Sequence, residues 1–164
     1  MTLKSIRRTS KRAATSDRQK TVRKRTFVKA NALYHELFAS SPDGILLIDT
    51  ETQEVIEFND AACRQLGYTR EEFGGLRVSD YEASETPEET NAHVQRTLRE
   101  GKAEFDTLHR TKTGEIRHVH VWVKAFDLDG RVVFYVIFRD ITERVRAEAA
   151  EAVLSRSWKP HPIL

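Results

Sequence analysis

An α+β fold built on a five-stranded antiparallel sheet, with helices on one face, follows from three features of this 164-residue chain. Two short β-prone runs come first, several helical segments come next, and three longer β-prone runs joined by tight turns follow. No helix interrupts the last three strands, so they pair as antiparallel neighbours. Further helices flank this core at its N- and C-terminal ends. The length suits one domain of about 110 residues plus tails, enough to bury a single core.

Residues 1–26 are rich in Lys, Arg, Ser and Thr and poor in large apolar side chains. Such a segment cannot bury enough surface to offset the entropy of ordering, and a disordered basic tail is expected. Phe27, Leu33, Tyr34, Leu37 and Phe38 then recur at helical spacing, predicting an amphipathic flanking helix over 27–40 that stops before Pro42. Ile45-Leu46-Leu47-Ile48 is an unbroken β-prone run and Val55-Ile56-Glu57-Phe58 a shorter one, joined as a hairpin by the polar 49–53 stretch.

A helix from about Asp60 to Leu66 follows, with Gly67 as its stop. Thr69 and Glu72 have capping-box spacing and start another short helix. Thr86, Pro87 and Glu89 supply the N-cap, the first-position proline and the third-position acid of a longer helix ending at Gly101. Strands are expected over about 103–111, 115–126 and 131–139, turned at Gly114 and at 127–130. Every residue from Val132 to Phe138 is apolar, so this strand is covered on both faces, by the core and by a helix or a second subunit. Asp140 and Glu143 repeat the capping-box spacing and begin a last helix through about Leu154.

The net charge of +2 hides an asymmetry. Residues 1–29 hold eleven Lys or Arg against one acid, Asp17, leaving sixteen bases and twenty-four acids in residues 30–164. The lone cysteine, Cys63, rules out an internal disulfide and reads as a small buried apolar residue. No apolar run approaches the ~20 residues of a membrane helix, and the N-terminus lacks the apolar segment of a secretory signal. A soluble cytoplasmic protein is therefore expected, with no membrane partner. Phosphate-binding loops, nucleophile elbows and zinc-protease motifs are missing, and no catalytic residue is assigned. The acids Glu82, Glu85, Glu88 and Glu89 read as a solvated helix start.

Four stretches occur in a telling order: Ser41-Pro42-Asp43-Gly44-Ile45; Asn59-Asp60-Ala61-Ala62 leading to Leu66-Gly67-Tyr68-Thr69; Lys112-Thr113-Gly114-Glu115; and Arg139-Asp140-Ile141-Thr142-Glu143-Arg144. Together they resemble a PAS domain, over roughly Ala32 to Arg146. The resemblance implies a domain core over 41–143, a signalling helix and tail over 144–164, and a sensory and dimerising module rather than an enzyme. It also implies a pocket that holds flavin, haem, a metabolite or nothing. In the blue-light flavin subfamily a cysteine stands eleven residues after the glycine of the Gly-Tyr pair; here that position is Val78. The flavin-binding amides of that subfamily align with His109, Val119 and Phe138, two of which have no hydrogen-bonding group, so flavin is not expected. Haem-binding members use a histidine on the long helix. The aligned position is Thr90, and His93, one turn later, is the candidate haem ligand. A solvent-facing His93 without haem is the expectation.

The candidate pocket residues are Ile45, Leu47, Phe58, Leu66, Leu98, Phe105, Val119, Val121 and Phe138, with His109 as the polar group among them. His118, His120 and Trp122 alternate with Val119, Val121 and Val123 and read as a polar outer sheet face rather than a metal site, since no acid or cysteine stands at ligand spacing beside them. Leu33, Leu37 and Phe38, with Val133, Tyr135 and Ile137 on the outer sheet face, are the candidate dimer surface. Asp140, Thr142 and Glu143 are the candidate signal-coupling residues, because the resemblance makes this Asp-Ile-Thr the link from sheet to exiting helix. The chain carries no kinase or cyclase motif. A standalone homodimeric module acting in trans on a histidine kinase or regulator is expected, or else a remnant of a longer protein. A second reading makes the basic residues 4–29 an arm that binds nucleic acid.

Overall fold

The computed structural model describes Lys29 and residues 31–157. The basic segment 1–26, Phe27 and the end of the chain beyond Ser157 lie outside the described residues. Two compact units meet between Ser40 and Ser41. The first contains a helix over 31–40, α1, in which Tyr34 stacks on Phe38 with ring centroids 5.5 Å apart. Leu33 and Leu37 on this helix are 60% and 62% exposed.

The second unit contains a five-stranded sheet, wholly antiparallel, of strand order β2-β1-β5-β4-β3. Its strands are β1 (Gly44–Asp49), β2 (Val55–Phe58), β3 (Lys102–Arg110), β4 (Ile116–Leu128) and β5 (Arg131–Asp140). Between β2 and β3 lie four helices: α2 (Asp60–Leu66), α3 (Arg70–Phe73), α4 (Val78–Tyr81) and α5 (Pro87–Glu100). A last helix, α6 (Thr142–Ser157), leaves the end of β5. The expected α+β class and antiparallel sheet are confirmed.

Local signals set most boundaries. Thr69 and Thr86 each accept a hydrogen bond from the third helical amide while Glu72 and Glu89 accept one from the cap's own amide, so both capping boxes form. Gly67 and Gly101 close α2 and α5 with φ of 77° and 76°, where a side chain would be strained. Helix α4 has no counterpart in the sequence pattern. At four residues, VSDY, it is too short to show a period.

Strand β1 sits between β2 and β5, and its facing is fixed at its start. Gly44 lies opposite Phe138, and a Cβ there would stand 2.3 Å from the ring. In the antiparallel ladder, direct partners share a face. Leu46 and Ile48 therefore point to the same side as Phe134, Val136 and Phe138, and this side packs against α2, α4 and α5. Ile45 and Leu47 point to the other side, with Ile137 and Tyr135. The expectation that Ile45 and Leu47 line the pocket is thus off by one residue of strand parity.

The outer face also departs from expectation at Val133. Tyr135 and Ile137 are half-buried, but Val133 is only 1% exposed and is already covered within the chain. Trp122 packs edge-on against Tyr135, centroids 6.2 Å apart. His120, on the same face, holds Asp106 at 2.6 Å and Glu104 at 3.1 Å from the neighbouring strand.

Phe138 is fully buried and cannot swing aside without disturbing the core. Gly44→Ala is therefore expected to cost about 1–3 kcal/mol through overpacking. Urea unfolding monitored by tryptophan fluorescence measures this, and a variant as stable as the parent would show that β1 does not depend on that close approach.

Candidate functional site

A cavity of about 80 Å³ lies between the inner sheet face and helices α4 and α5. Strands β1, β4 and β5 supply an apolar floor that includes Leu46, Ile48, Val121, Val123, Val136 and Phe138. Helix α5 crosses above with Thr90, His93, Val94 and Thr97, an i, i+3, i+4, i+7 stripe that puts all four on one face. Val78, Tyr81, Glu82 and Glu85 close one side, and Phe105, Thr107 and His109 form the inward row of β3.

Four of the ten expected pocket residues line this space: Phe105, His109, Val121 and Phe138. Leu66 and Val119 are buried in the adjoining core, and Phe58 and Leu98 pack against it, but none of the four reaches the cavity. Pattern alone identifies apolar inward positions. It does not separate those that touch each other from those that leave a space.

Apart from His109, the polar lining is what sequence reasoning missed. His93 does not face solvent: its ring lies over Phe105, centroids 4.2 Å apart, and Nδ1 meets Glu85 Oε1 at 3.0 Å. Glu82 and Glu85 likewise turn inward from the acidic segment, while Glu88 stays exposed and Glu89 caps α5. The Glu82 carboxylate accepts hydrogen bonds from the amides of Ala83 and Ser84 at 2.9 and 2.7 Å and from the hydroxyl of Thr107 at 2.9 Å. An unsolvated threonine pair, Thr90 and Thr97, on the same helical stripe as Val94 was the available signal. A helix face that buries apolar residues rarely includes polar ones without a partner for them.

Three buried polar atoms lining the cavity have no hydrogen-bond partner: Thr90 Oγ1, His93 Nε2 and His109 Nδ1. Thr90 and His109 are only 4% and 5% exposed. Leaving such atoms dry costs roughly 1–3 kcal/mol each. His109 packs edge-on against Tyr81 and Phe138, centroids 5.0 and 5.2 Å away. Burial pushes its imidazole pKa down to about 4, against the opposing pull of Glu82 and Asp140. The ring is therefore neutral at pH 7. No Lys or Arg lines the cavity, and its acidic side chains are Glu82 and Glu85.

At the end of β5 the sheet joins α6 through polar contacts. Asp140 Oδ1 accepts from the Thr142 amide at 2.8 Å, and Asp140 Oδ2 from Arg117 Nη1 at 2.8 Å. Thr142 Oγ1 accepts from the His118 amide at 3.0 Å, and the Ile141 amide donates to the His118 carbonyl at 2.9 Å. Glu143 takes no part. Its side chain is 91% exposed and reaches forward to Arg146, so the expected Asp140–Glu143 capping box does not form. The helix starts at Thr142, one residue later than a cap at Asp140 would place it, because Asp140 still belongs to β5 and pairs with Val119.

His109 gives the fold a pH dependence of definite sign. Its folded pKa lies below the unfolded value near 6.5, so as pH falls the unfolded chain takes up the proton first. The stabilisation is complete above pH ~6.5 and declines towards pH ~4, by about 2 kcal/mol at pH 5. His120 works in the opposite sense, since its hydrogen bond to Asp106 raises its pKa, but it is largely solvated. His109→Gln is expected to flatten the loss of stability between pH 7 and pH 5 in urea melts. An unchanged slope would assign that loss to other groups.

The comparisons with known proteins agree with this geometry. The PAS domain family matches residues 42–143. The chain is 28% identical over 116 residues, 71% of its length, to the methyl sulfide methyltransferase-associated sensor of Methanosarcina acetivorans, of which the match covers 11%. Among solved structures, the PAS domain of an HTR-like protein from Haloarcula marismortui has a TM-score of 0.66 at 25% identity, covering 74% of this chain and 99% of that one. A domain of a sensory box sensor histidine kinase/response regulator from Geobacter sulfurreducens has a TM-score of 0.60 at 26% identity, covering 70% and 96%. With the family matched across both ends of the sheet and the helices between, the chain belongs to the PAS domain family.

Proposed function

We propose that this PAS sensor domain binds a small organic molecule in the cavity under α5 and passes its presence to α6 through the Asp140–Thr142 junction. The observation that carries this is the apolar cavity with three unpartnered, buried polar atoms. A site built only for stability would fill the space or satisfy those atoms. No helix among the described residues is long and apolar enough to cross a membrane.

Neither flavin nor haem suits this lining. The positions aligned with flavin-binding amides carry Val119, outside the cavity, and Phe138, and Val78 stands where the photoreactive cysteine would be. His93 Nε2 is free and its Nδ1 is held by a carboxylate, the arrangement of a metal-ligating histidine. A porphyrin is nonetheless several times larger than the space beneath it, so no step is assigned to iron. Ligand-dependent shifts of backbone amide resonances test the sensing role. They should cluster on α5 and on β3 to β5, and a small-molecule library that moves none of them would remove the sensor pocket.

The route outward is short. Phe138 and Val121 touch the cavity and are direct partners across β5 and β4; two residues further on, Asp140 pairs with Val119. Arg117, His118 and Asp140 then grip the start of α6. Displacement of Phe138 by a ligand would therefore be felt at the junction before it reached any loop. Asp140→Ala is expected to cost about 1 kcal/mol, as for a lost N-cap, and to speed hydrogen exchange over residues 142–149 relative to the strands. Wild-type exchange there would mean that packing alone holds the helix.

The module works as a homodimer in this proposal. Support comes from exposed Leu33 and Leu37 on α1 and from half-buried Tyr135 and Ile137 on the outer sheet face, apolar surfaces without a polar role. Leu37→Glu combined with Ile137→Glu should yield a folded monomer in sedimentation velocity. An unchanged dimer mass, or a monomeric parent, would overturn this assembly. A signalling protein such as a histidine kinase or regulator is the proposed downstream partner.

A further inference from the structure

The polar atoms of the cavity define what it can hold, and this step rests on the pocket proposed above. The carboxylate of Glu85 can only accept, so His93 Nδ1 carries the proton in their 3.0 Å contact. In the neutral ring Nε2 then presents a lone pair, and it needs a donor. Thr90, one helical turn earlier on the same face, has a hydroxyl that donates as well as accepts and has no partner. One helix face thus offers an acceptor and a donor one turn apart. Elsewhere the cavity is chiefly aliphatic and aromatic, with Val121, Val123, Val136 and Phe138 on its floor.

We infer that the ligand is a small uncharged alcohol, with its hydroxyl seated between Thr90 and His93 and its hydrocarbon body on the valine floor. A hydroxyl donates to His93 Nε2 while accepting from Thr90, so a single group satisfies both atoms. His109 stands four residues along β3 from Phe105, a backbone separation of roughly 13 Å at about 3.3 Å per residue, and its ring offers only one unpartnered atom, Nδ1.

Charge excludes the alternatives. An anionic ligand would meet two acidic side chains, Glu82 and Glu85, and no Lys or Arg, with His109 neutral above pH ~5. An ammonium would be drawn to the carboxylates, but Glu82 is already occupied by Ala83, Ser84 and Thr107, and Glu85 by His93. It would also lose its hydration to a largely apolar space.

Length-matched probes separate these cases. The full chain, ¹⁵N-labelled at pH 7, is titrated with 1-butanol, butanoate and butylamine while amide shifts are followed on α5 and β3 to β5. 1-Butanol is expected to bind there at least about tenfold more tightly than either ion. Thr90→Val, which removes the hydroxyl at nearly constant shape, should weaken butanol binding about fivefold, and Thr90→Ser should retain it. Butanoate or butylamine binding as well as butanol, or full affinity in Thr90→Val, would overturn the ligand class and leave the pocket standing. Saturable shifts from none of the three would overturn both the class and the pocket, leaving water as the occupant.

Discussion

The side-chain amide of Asn59 is the contact from which the rest of the domain takes its geometry. It is only 1% exposed. Its Oδ1 accepts from the amides of Ile45 and Ala62, each at 3.0 Å, and its Nδ2 donates to the Asp43 carbonyl at 2.9 Å. The Asn59 amide also donates to the Ile45 carbonyl at 3.1 Å. One residue thereby caps α2 and locks the entry of β1. Both of its acceptor bonds are to amides that would otherwise be buried and unpaired, so replacing it would leave several orphan groups at once.

That lock decides what faces the cavity. Once Ile45 is held by both Asn59 bonds, Gly44 must lie beneath Phe138 and alternation sends Leu46 and Ile48 inward. Outside the sheet, the carboxylate of Asp43 takes both guanidinium nitrogens of Arg139 at 2.9 and 2.7 Å, tying the entry of β1 to the exit of β5. At the opposite end of the same pair, Arg131 reaches Asp49, whose carboxylate is held ionised chiefly by the amides of Thr52 and Glu51. Both ends of the central β1–β5 pair are therefore pinned.

This explains which parts of the molecule the sequence made legible. Asp43, Gly44, Asn59, Gly67, Asp140 and Thr142 belong to short motifs because each meets a local backbone demand: a cap, a left-handed turn or a close approach. Such demands can be read from residue type and spacing. The parity of β1 was not legible, because Ile45 to Ile48 are all apolar and an unbroken run carries no alternation. Its facing depends on Asn59, fourteen residues away. The inward turn of Glu82 and Glu85 was hidden for a similar reason. Their acids resemble a helix start, yet four-residue α4 and the bridge from Glu82 to His109 bend the segment under α5. Solvent exposure of such acids is a default that tertiary pairing overrides.

The cavity and the exit helix share strands. Two of the strands that floor the cavity, β4 and β5, also carry the residues that hold α6. Arg117 and His118 stand one side of the junction and Asp140 the other. Arg117 also binds Glu115 at 3.0 Å, so the β3–β4 turn is drawn into the same cluster. Any ligand that pushes Phe138 outward must shear β5 against β4 or β1. The β1 side is braced by Asp43–Arg139 and Arg131–Asp49. The β4 side ends in the Arg117–Asp140 pair, which stands directly at the start of α6. In the proposed sensing role, strain from an occupied cavity would reach the start of α6, and helix direction would report occupancy.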